Sequence, residues 1–67
     1  MLHPQMKTIR AKKLGVLIRD ARESCGKSIK ECATALGVTS GIYGAFERGT
    51  RAPSLPQLEV IAYYLNV

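Results

Sequence analysis

The sequence contains few of the residues that build metal sites and catalytic centres. Its 67 residues include two cysteines and one histidine, which are too few for a zinc site. No nucleophile lies near a base and an orienting partner, and no phosphate-cradling loop or pair of carboxylates stands out. We therefore expect no bound metal, no cofactor and no enzymatic activity.

Long apolar runs are also lacking. No run approaches the ~20 residues needed to cross a bilayer, and the N-terminus, MLHPQMKTIRAKK, has no apolar core behind its charges, so a secretory signal is not expected. These absences favour a cytoplasmic protein that does not bind membranes. In that compartment, Cys25 and Cys32 are expected to remain free thiols.

Acidic residues are half as numerous as basic ones. The net charge is +5 and the isoelectric point is near 9.6, which favours an anionic partner. Residues 1–27 carry seven basic and two acidic side chains, whereas residues 28–67 carry three of each. Attraction to phosphate must therefore come from the N-terminal part and from a few well-placed side chains, unless the basic tail serves only solubility.

The chain length and the apolar periodicity predict one small all-α domain. Residues 1–8 include Pro4 and show no apolar period, so we expect a flexible N-terminal arm followed by a domain over residues 9–67. Helical spacing of apolar residues predicts a first helix from about Ile9 to Cys25, ended by Gly26. With two helices in the centre and one after Ser54, the fold is expected to be a compact four-helix domain.

The central stretch, residues 28–49, has the features of two short helices joined by a glycine turn. Ser28 and Glu31 have the spacing of a capping box at a helix start. Gly37 follows the apolar face of that helix, where a chain often needs a positive φ. Thr39 is placed to cap the next helix. This stretch therefore predicts a helix-turn-helix.

The outward face of the second helix in this pair consists mostly of residues with small side chains or none. Its inner side is expected to hold Phe46, together with Val38 and either Ile42 or Tyr43. The remaining residues face outward, and they are Ser40, Gly41, Gly44, Ala45 and Arg48. Such a helix can enter the major groove of DNA, although any two amphipathic helices around a glycine would give a similar pattern.

Taken together, the motifs from Leu14 to Val67 resemble the Cro and phage-repressor family of helix-turn-helix domains, also called the xenobiotic-response-element type, with a lambda-repressor-like fold. The resemblance is carried by a series of short motifs in order: Leu14-Gly15, Ile18-Arg19, Ala21-Arg22, Gly26, Ser28, Ala33, Leu36-Gly37-Val38-Thr39, Phe46-Glu47-Arg48-Gly49, Pro53-Ser54-Leu55 and Leu65-Asn66-Val67. It implies a sequence-specific DNA-binding transcriptional regulator, with repressor as the expected sign, that binds double-stranded DNA in the major groove through residues 39–48. We also expect a homodimer.

The resemblance also implies roles for individual residues. The start of the first helix in the pair, at Ser28, would meet phosphate, and the second helix, capped by Thr39, would meet base edges. Arg48 and Arg51 would lie near the DNA backbone. Arg22 and Glu47 would form an ion pair that ties the first helix to the end of the third. The base-edge positions would be Ser40, Gly41, Gly44 and Ala45.

Several residues depart from the family pattern. Ile29 stands where many members have glutamine, and it cannot bond a phosphate. Gly41, Gly44 and Ala45 replace positions that are often polar, so readout would depend on Ser40 and on DNA shape. A fifth helix, common in the family, is not predicted, so the chain is either one domain of a larger regulator, with a further domain beyond Val67, or a minimal regulator. Two other functions therefore stay open: a protein-binding module, such as an antitoxin-type subunit with a degenerate recognition helix, and the targeting domain of an enzyme.

Overall fold

The structure, a computed structural model, describes the backbone of residues 4–67 and the side chains of residues 10–67. Four helices follow one another along the chain: α1 (Pro4–Ser24), α2 (Ile29–Leu36), α3 (Ser40–Arg48) and α4 (Leu55–Leu65). No strand occurs within these residues. The all-α prediction is therefore confirmed.

The first helix begins earlier than predicted. It starts at Pro4 instead of near Ile9, so the backbone of residues 4–8 is helical and only residues 1–3 lie outside the described residues. Proline is tolerated in the first turn of a helix, and residues 5–13 are rich in good helix formers. The prediction relied on apolar periodicity, which this segment lacks. Its mobility as an arm stays a prediction.

Side-chain caps fix the starts of the other three helices. Ser28 Oγ accepts a hydrogen bond from the Glu31 N–H at 3.0 Å, and Glu31 Oε1 accepts one from the Ser28 N–H at 2.9 Å. Ser54 and Gln57 form the same reciprocal pair at the start of α4. Thr39 Oγ1 accepts from the Ile42 N–H at 3.1 Å. Each cap satisfies donors that the first helical turn leaves open.

The turn between α2 and α3 depends on Gly37. Its φ is +75°, in the left-handed region, and its N–H and that of Val38 donate to carbonyls of the last turn of α2. Residues with a Cβ rarely adopt this conformation. Only residues 37–39 separate the two helices, and Gly37 caps α2 while Thr39 caps α3.

The core lies where all four helices meet. Tyr43 and Phe46 of α3 are fully enclosed, and their rings pack edge to face with centroids 6.3 Å apart. Among residues 10–67, seven apolar residues are buried: Ile18, Cys32, Ala33, Tyr43, Phe46, Ile61 and Leu65. Since α3 supplies the two largest of them, its inner face is anchored, and its outer face is held in a fixed orientation.

Two glycines let α1 cross close to the end of α3. A Cβ on Gly15 would lie 2.5 Å from the carbonyl oxygens of Phe46 and Glu47, and one on Gly49 would lie 2.6 Å from Lys12 Cα. Neither position has room for a side chain, so the crossing requires glycine both in α1 and at the C-cap of α3. The same crossing brings the basic α1 next to α3.

Candidate nucleic-acid interface

The exposed part of α3 is narrow at its N-terminal end. Ser40 and Gly41 are exposed, and Ala45 on the same side is half-buried. A Cβ on Gly41 would meet only Thr39 Oγ1 at 3.8 Å, so the space above it is open. A partner that lies against this face would therefore meet only backbone and small side chains.

Gly44 does not belong to this exposed face. It is buried, and a Cβ at this position would lie 3.1 Å from Arg48 Nη1. The expectation that Gly44 faces outward is therefore wrong, because the guanidinium of Arg48, one turn further along α3, folds back and covers it. If this part of α3 meets DNA, the side chain of Arg48 lies between Gly44 and the DNA.

Two helix starts flank the face, and their caps keep a free donor. The hydroxyls of Ser28 and Thr39 each use one lone pair as a cap acceptor, which leaves the hydroxyl hydrogen available to another acceptor such as a phosphate oxygen. The hydrogen bonds from Ser28 to Glu31 also lower the pKa of the Glu31 carboxyl below its ordinary value. The ionised carboxylate accepts the hydrogen bond from the Ser28 N–H and so closes the cap at neutral pH.

Arginine side chains surround the face at the end of α3. Arg48 and Arg51 are both exposed, and neither forms an ion pair with any residue from Arg10 to Val67. They are free to contact phosphates on either side of a groove. Their contact with the DNA backbone, which the family resemblance implies, stays a prediction.

Arg22 is held inside the domain instead. Its Nε donates to Glu47 Oε2 at 2.7 Å, its Nη2 donates to Glu47 Oε1 at 3.1 Å, and its Nη1 donates to the Lys27 carbonyl at 2.9 Å. The two charged side chains are 13% and 6% exposed. The hydrogen bond to Glu47 raises the pKa of Arg22 further above its ordinary value. The structure thus contains the ion pair that the resemblance implied.

The Tyr43 hydroxyl is buried behind this ion pair. It has no hydrogen-bond partner of acceptable geometry among the described residues, although Glu47 and Cys32 lie close enough to raise its pKa. Burial, reinforced by those two groups, raises the pKa of Tyr43 far above its ordinary value, and burial likewise raises the pKa of the Cys32 thiol. Tyr43 is therefore a neutral core residue and takes no part in the interface.

Sequence reasoning did not identify Arg19 as part of this surface. Its side chain is 62% exposed, lies in α1 one turn before Arg22, and borders the same cleft as Arg48. Ile29 borders that cleft as well and is 37% exposed, although its spacing from Cys32, Ala33 and Leu36 is that of one apolar helix face. The spacing of three residues between Arg19 and Arg22 was the available signal, because it puts both on one side of a helix.

No helix in the described part of the chain is both long and apolar enough to cross a membrane. Neither curated proteins nor solved structures yielded a significant match to the sequence. A protein-family comparison matches the helix-turn-helix family, of the Cro/C1 type, over residues 18–67. That range contains α2, the turn, α3 and α4, and so includes the whole surface described above. Since the match covers most of the sequence, the chain belongs to the helix-turn-helix family of DNA-binding domains.

Proposed function

We propose that the chain is a sequence-specific transcription regulator of the repressor type that acts in the cytoplasm. The observation that carries the proposal is the outer face of α3, where Ser40, Gly41 and Ala45 have only small side chains. At its end lie Arg48 and Arg51, which form no ion pair within residues 10–67. Such a face admits the edges of base pairs close to the helix backbone, and the arginines supply contacts to the DNA strands on either side.

The side chains divide into those that position the domain and those that read the sequence. Arg48, Arg51 and the cap hydroxyls of Ser28 and Thr39 would contact phosphates, which carry no base information. Reading would come from the Ser40 hydroxyl and from apolar contact between Ala45 and a thymine methyl group. With so few base-reading groups, much of the selectivity would come from DNA shape and deformability.

A homodimer would supply the contacts that one small domain lacks. Two copies related by a two-fold axis read a palindromic site with half-sites about one helical turn apart. The support for dimerisation is a row of exposed apolar residues on and after α4: Val60 is 42% exposed, Tyr63 89% and Val67 77%. The spacing of Val60 and Tyr63 puts these two residues on one side of α4, and Val67 follows the end of the helix.

A second function is favoured by the same row of apolar residues. An antitoxin-type subunit would use it to hold a partner protein, while the α3 face would bind DNA weakly or not at all. The balance of charge over residues 28–67, with three basic and three acidic side chains, supports this alternative because DNA-binding surfaces are usually strongly basic.

The test is to map contacts residue by residue. Backbone amide signals of the purified chain are followed by NMR while a duplex of random sequence is added at low salt. The DNA-binding function predicts shifts at Thr39, Ser40 and Gly41, and little change at Tyr63. Shifts confined to α4, or no shift with the duplex in excess, would favour the protein-binding function.

A further inference from the structure

We propose that two copies of the chain pair through the exposed side of α1, antiparallel about a two-fold axis between Val16 and Leu17, with Lys13 of each copy bound to Asp20 of the other. This interface is separate from the apolar row on and after α4. The pairing itself does not depend on DNA. Its consequence for DNA, that two duplexes are brought together, rests on the proposed function.

The side of α1 that carries these residues points away from α3. An α-helix turns by about 100° per residue, so residues two positions apart point to opposite sides. Gly15 packs against carbonyls at the end of α3, and Arg22 is ion-paired to that helix. The residues two positions away from these two therefore face outward, and all three are exposed: Lys13, Leu17 and Asp20.

Two apolar side chains lie in the middle of this outward side. Val16 is 55% exposed and Leu17 is 65% exposed. Leu17 also borders a groove of about 130 Å³ between α1 and α4, whose lining residues are all apolar. The apolar area therefore continues from α1 into the groove. A continuous apolar patch with a charged rim is typical of a protein-protein contact site.

The charges on the two sides of this apolar centre have opposite signs. Arg10 and Lys13 precede it and Asp20 and Glu23 follow it, and all four are exposed. Neither Lys13 nor Asp20 forms an ion pair within residues 10–67. Along α1, no residue of opposite charge lies three or four positions from either of them. Both charges are therefore available to a partner.

The order of these charges identifies the partner as a second copy of the chain. In a two-fold pair, the same surface patch must be complementary to itself. Lys13 and Asp20 are equally far from an axis between residues 16 and 17, so an antiparallel pair places each opposite the other residue of the second copy. Arg10 and Glu23 are related in the same way. Each ion pair then occurs twice, whereas a parallel pair would bring like charges together.

In such a pair, the two α1 helices lie between the two α3 helices, because each copy pairs through the side of α1 that is opposite its own α3. The outer faces of α3 then lie at opposite ends of the pair. Each would meet a different duplex, or a distant segment of the same DNA molecule. The α4 row, in contrast, would join copies on neighbouring half-sites.

The first test exchanges the charges and follows the mass of the full chain by sedimentation. The two exposed pairs are weak individually, so association is measured from about 10 μM to about 1 mM. Lys13→Asp and Asp20→Lys each turn two attractions into two repulsions and should weaken self-association at least about tenfold. An equal mixture of the two variants should recover it, because every facing pair is then of unlike charge. The double variant, which exchanges both charges in one chain, should recover it as well.

Two further variants serve as controls for this test. Lys30→Asp, at an exposed position of α2, makes the same charge change as Lys13→Asp and should associate like the parent. Tyr63→Ser, in the α4 row, should leave the association that responds to the charge exchange intact. A parent that stays monomeric at about 1 mM, charge variants that associate like the parent, or a mixture that recovers nothing would each overturn the α1 pair.

The second test asks whether the pair joins two duplexes. A biotinylated duplex on beads should retain a second, fluorescent duplex when the parent chain is present. Asp20→Lys adds positive charge and should bind a single duplex at least as tightly, yet it should retain less of the second one. Equal retention by both chains would overturn the α1 pair as the bridge. Charge-dependent self-association without duplex binding would support the pair and contradict the proposed function, and duplex binding without self-association would overturn the pair alone.

Discussion

Arg22 of α1 and Glu47 of α3 are joined side by side, with the guanidinium donating to both carboxylate oxygens at 2.7 and 3.1 Å. The residues are 25 positions apart in the sequence, so the pair fixes two helices that do not follow each other along the chain. It lies directly behind the outer face of α3. The pair therefore links the stability of the fold to the orientation of α3.

Removal of this pair should destabilise the domain. A hydrogen bond to a charged group contributes ~1.5–3 kcal/mol, so Arg22→Ala should lower the free energy of unfolding by about that amount, measured by urea denaturation. Arg22→Lys should recover little of the loss, because an ammonium cannot reproduce the planar two-point contact. Arg19→Ala, which breaks an exposed pair at 3.5 Å, is the control and should cost a few tenths of a kcal/mol. Equal effects of Arg22→Ala and Arg19→Ala would contradict this account.

The unpaired hydroxyl of Tyr43 should make no favourable contribution. An unsatisfied buried polar group costs ~1–3 kcal/mol, so Tyr43→Phe, which keeps the ring and its edge-to-face contact, should leave stability unchanged or raise it by up to ~1 kcal/mol. For a domain of this size that gain corresponds to a melting temperature higher by roughly 4–8 °C. Tyr63→Phe, at a side chain 89% exposed, should change nothing. A clear loss in Tyr43→Phe would show that the hydroxyl bonds Glu47 or Cys32.

The raised pKa of Tyr43 predicts weaker stability in alkali. The folded protein keeps the phenol protonated, whereas the unfolded chain releases the proton near the ordinary pKa of 10.0. The folded state then binds more protons than the unfolded state, so stability is intact below pH 10 and falls as the pH rises above it, by at most ~1.4 kcal/mol per pH unit. Cys32, with its pKa raised from 9.0, begins the decline one unit earlier. Denaturation at pH 8 to 11 should show a steeper decline in the parent than in Tyr43→Phe, and parallel curves would contradict this assignment.

A carboxylate on the outer face of α3 should separate binding from folding. Ala45→Asp puts a negative charge where phosphates and base edges approach, while the core residues Tyr43 and Phe46 stay in place. We expect specific DNA binding to fall by more than ~2 kcal/mol, or roughly 30-fold, with helicity by circular dichroism nearly unchanged. Ala35→Asp, on an exposed part of α2 that borders α4, is the matched control and should bind like the parent. A folded Ala45→Asp variant with parental affinity would contradict the placement of the interface.

Local signals in the sequence were sufficient for most of the fold. The capping pairs at Ser28 and Ser54, the threonine cap and the positive φ at Gly37 and Gly49 depend on near neighbours, and such chemistry can be read from spacing alone. The start of α1 could not be read in this way, because residues 4–8 form a helix without an apolar face. Leu55 fits the helical spacing of the apolar residues of α4, yet its side chain is 70% exposed.

The site was less predictable, because it includes a contact in which the guanidinium of Arg48 lies over Gly44, a residue without a side chain. Spacing alone put Gly44 and Arg48 on one face of α3, and nothing in the sequence indicates that the arginine folds back over the glycine. The close crossing of Gly15 with the carbonyls of Phe46 and Glu47 is likewise a long-range contact. Pairings of this kind depend on how helices pack, which periodicity does not specify.

The most direct test of the central claim is an unbiased selection of bound sequences from a random duplex library, run in parallel with the parent chain and with Ala45→Asp. A sequence-specific DNA-binding protein that reads bases with the outer face of α3 should enrich a defined motif, and a homodimer should enrich it as an inverted repeat with half-sites about one helical turn apart. The Ala45→Asp chain, folded but altered on that face, should enrich nothing. If the folded parent also enriches no motif over repeated rounds at low salt, or if both chains enrich the same one, sequence-specific recognition by this face is contradicted.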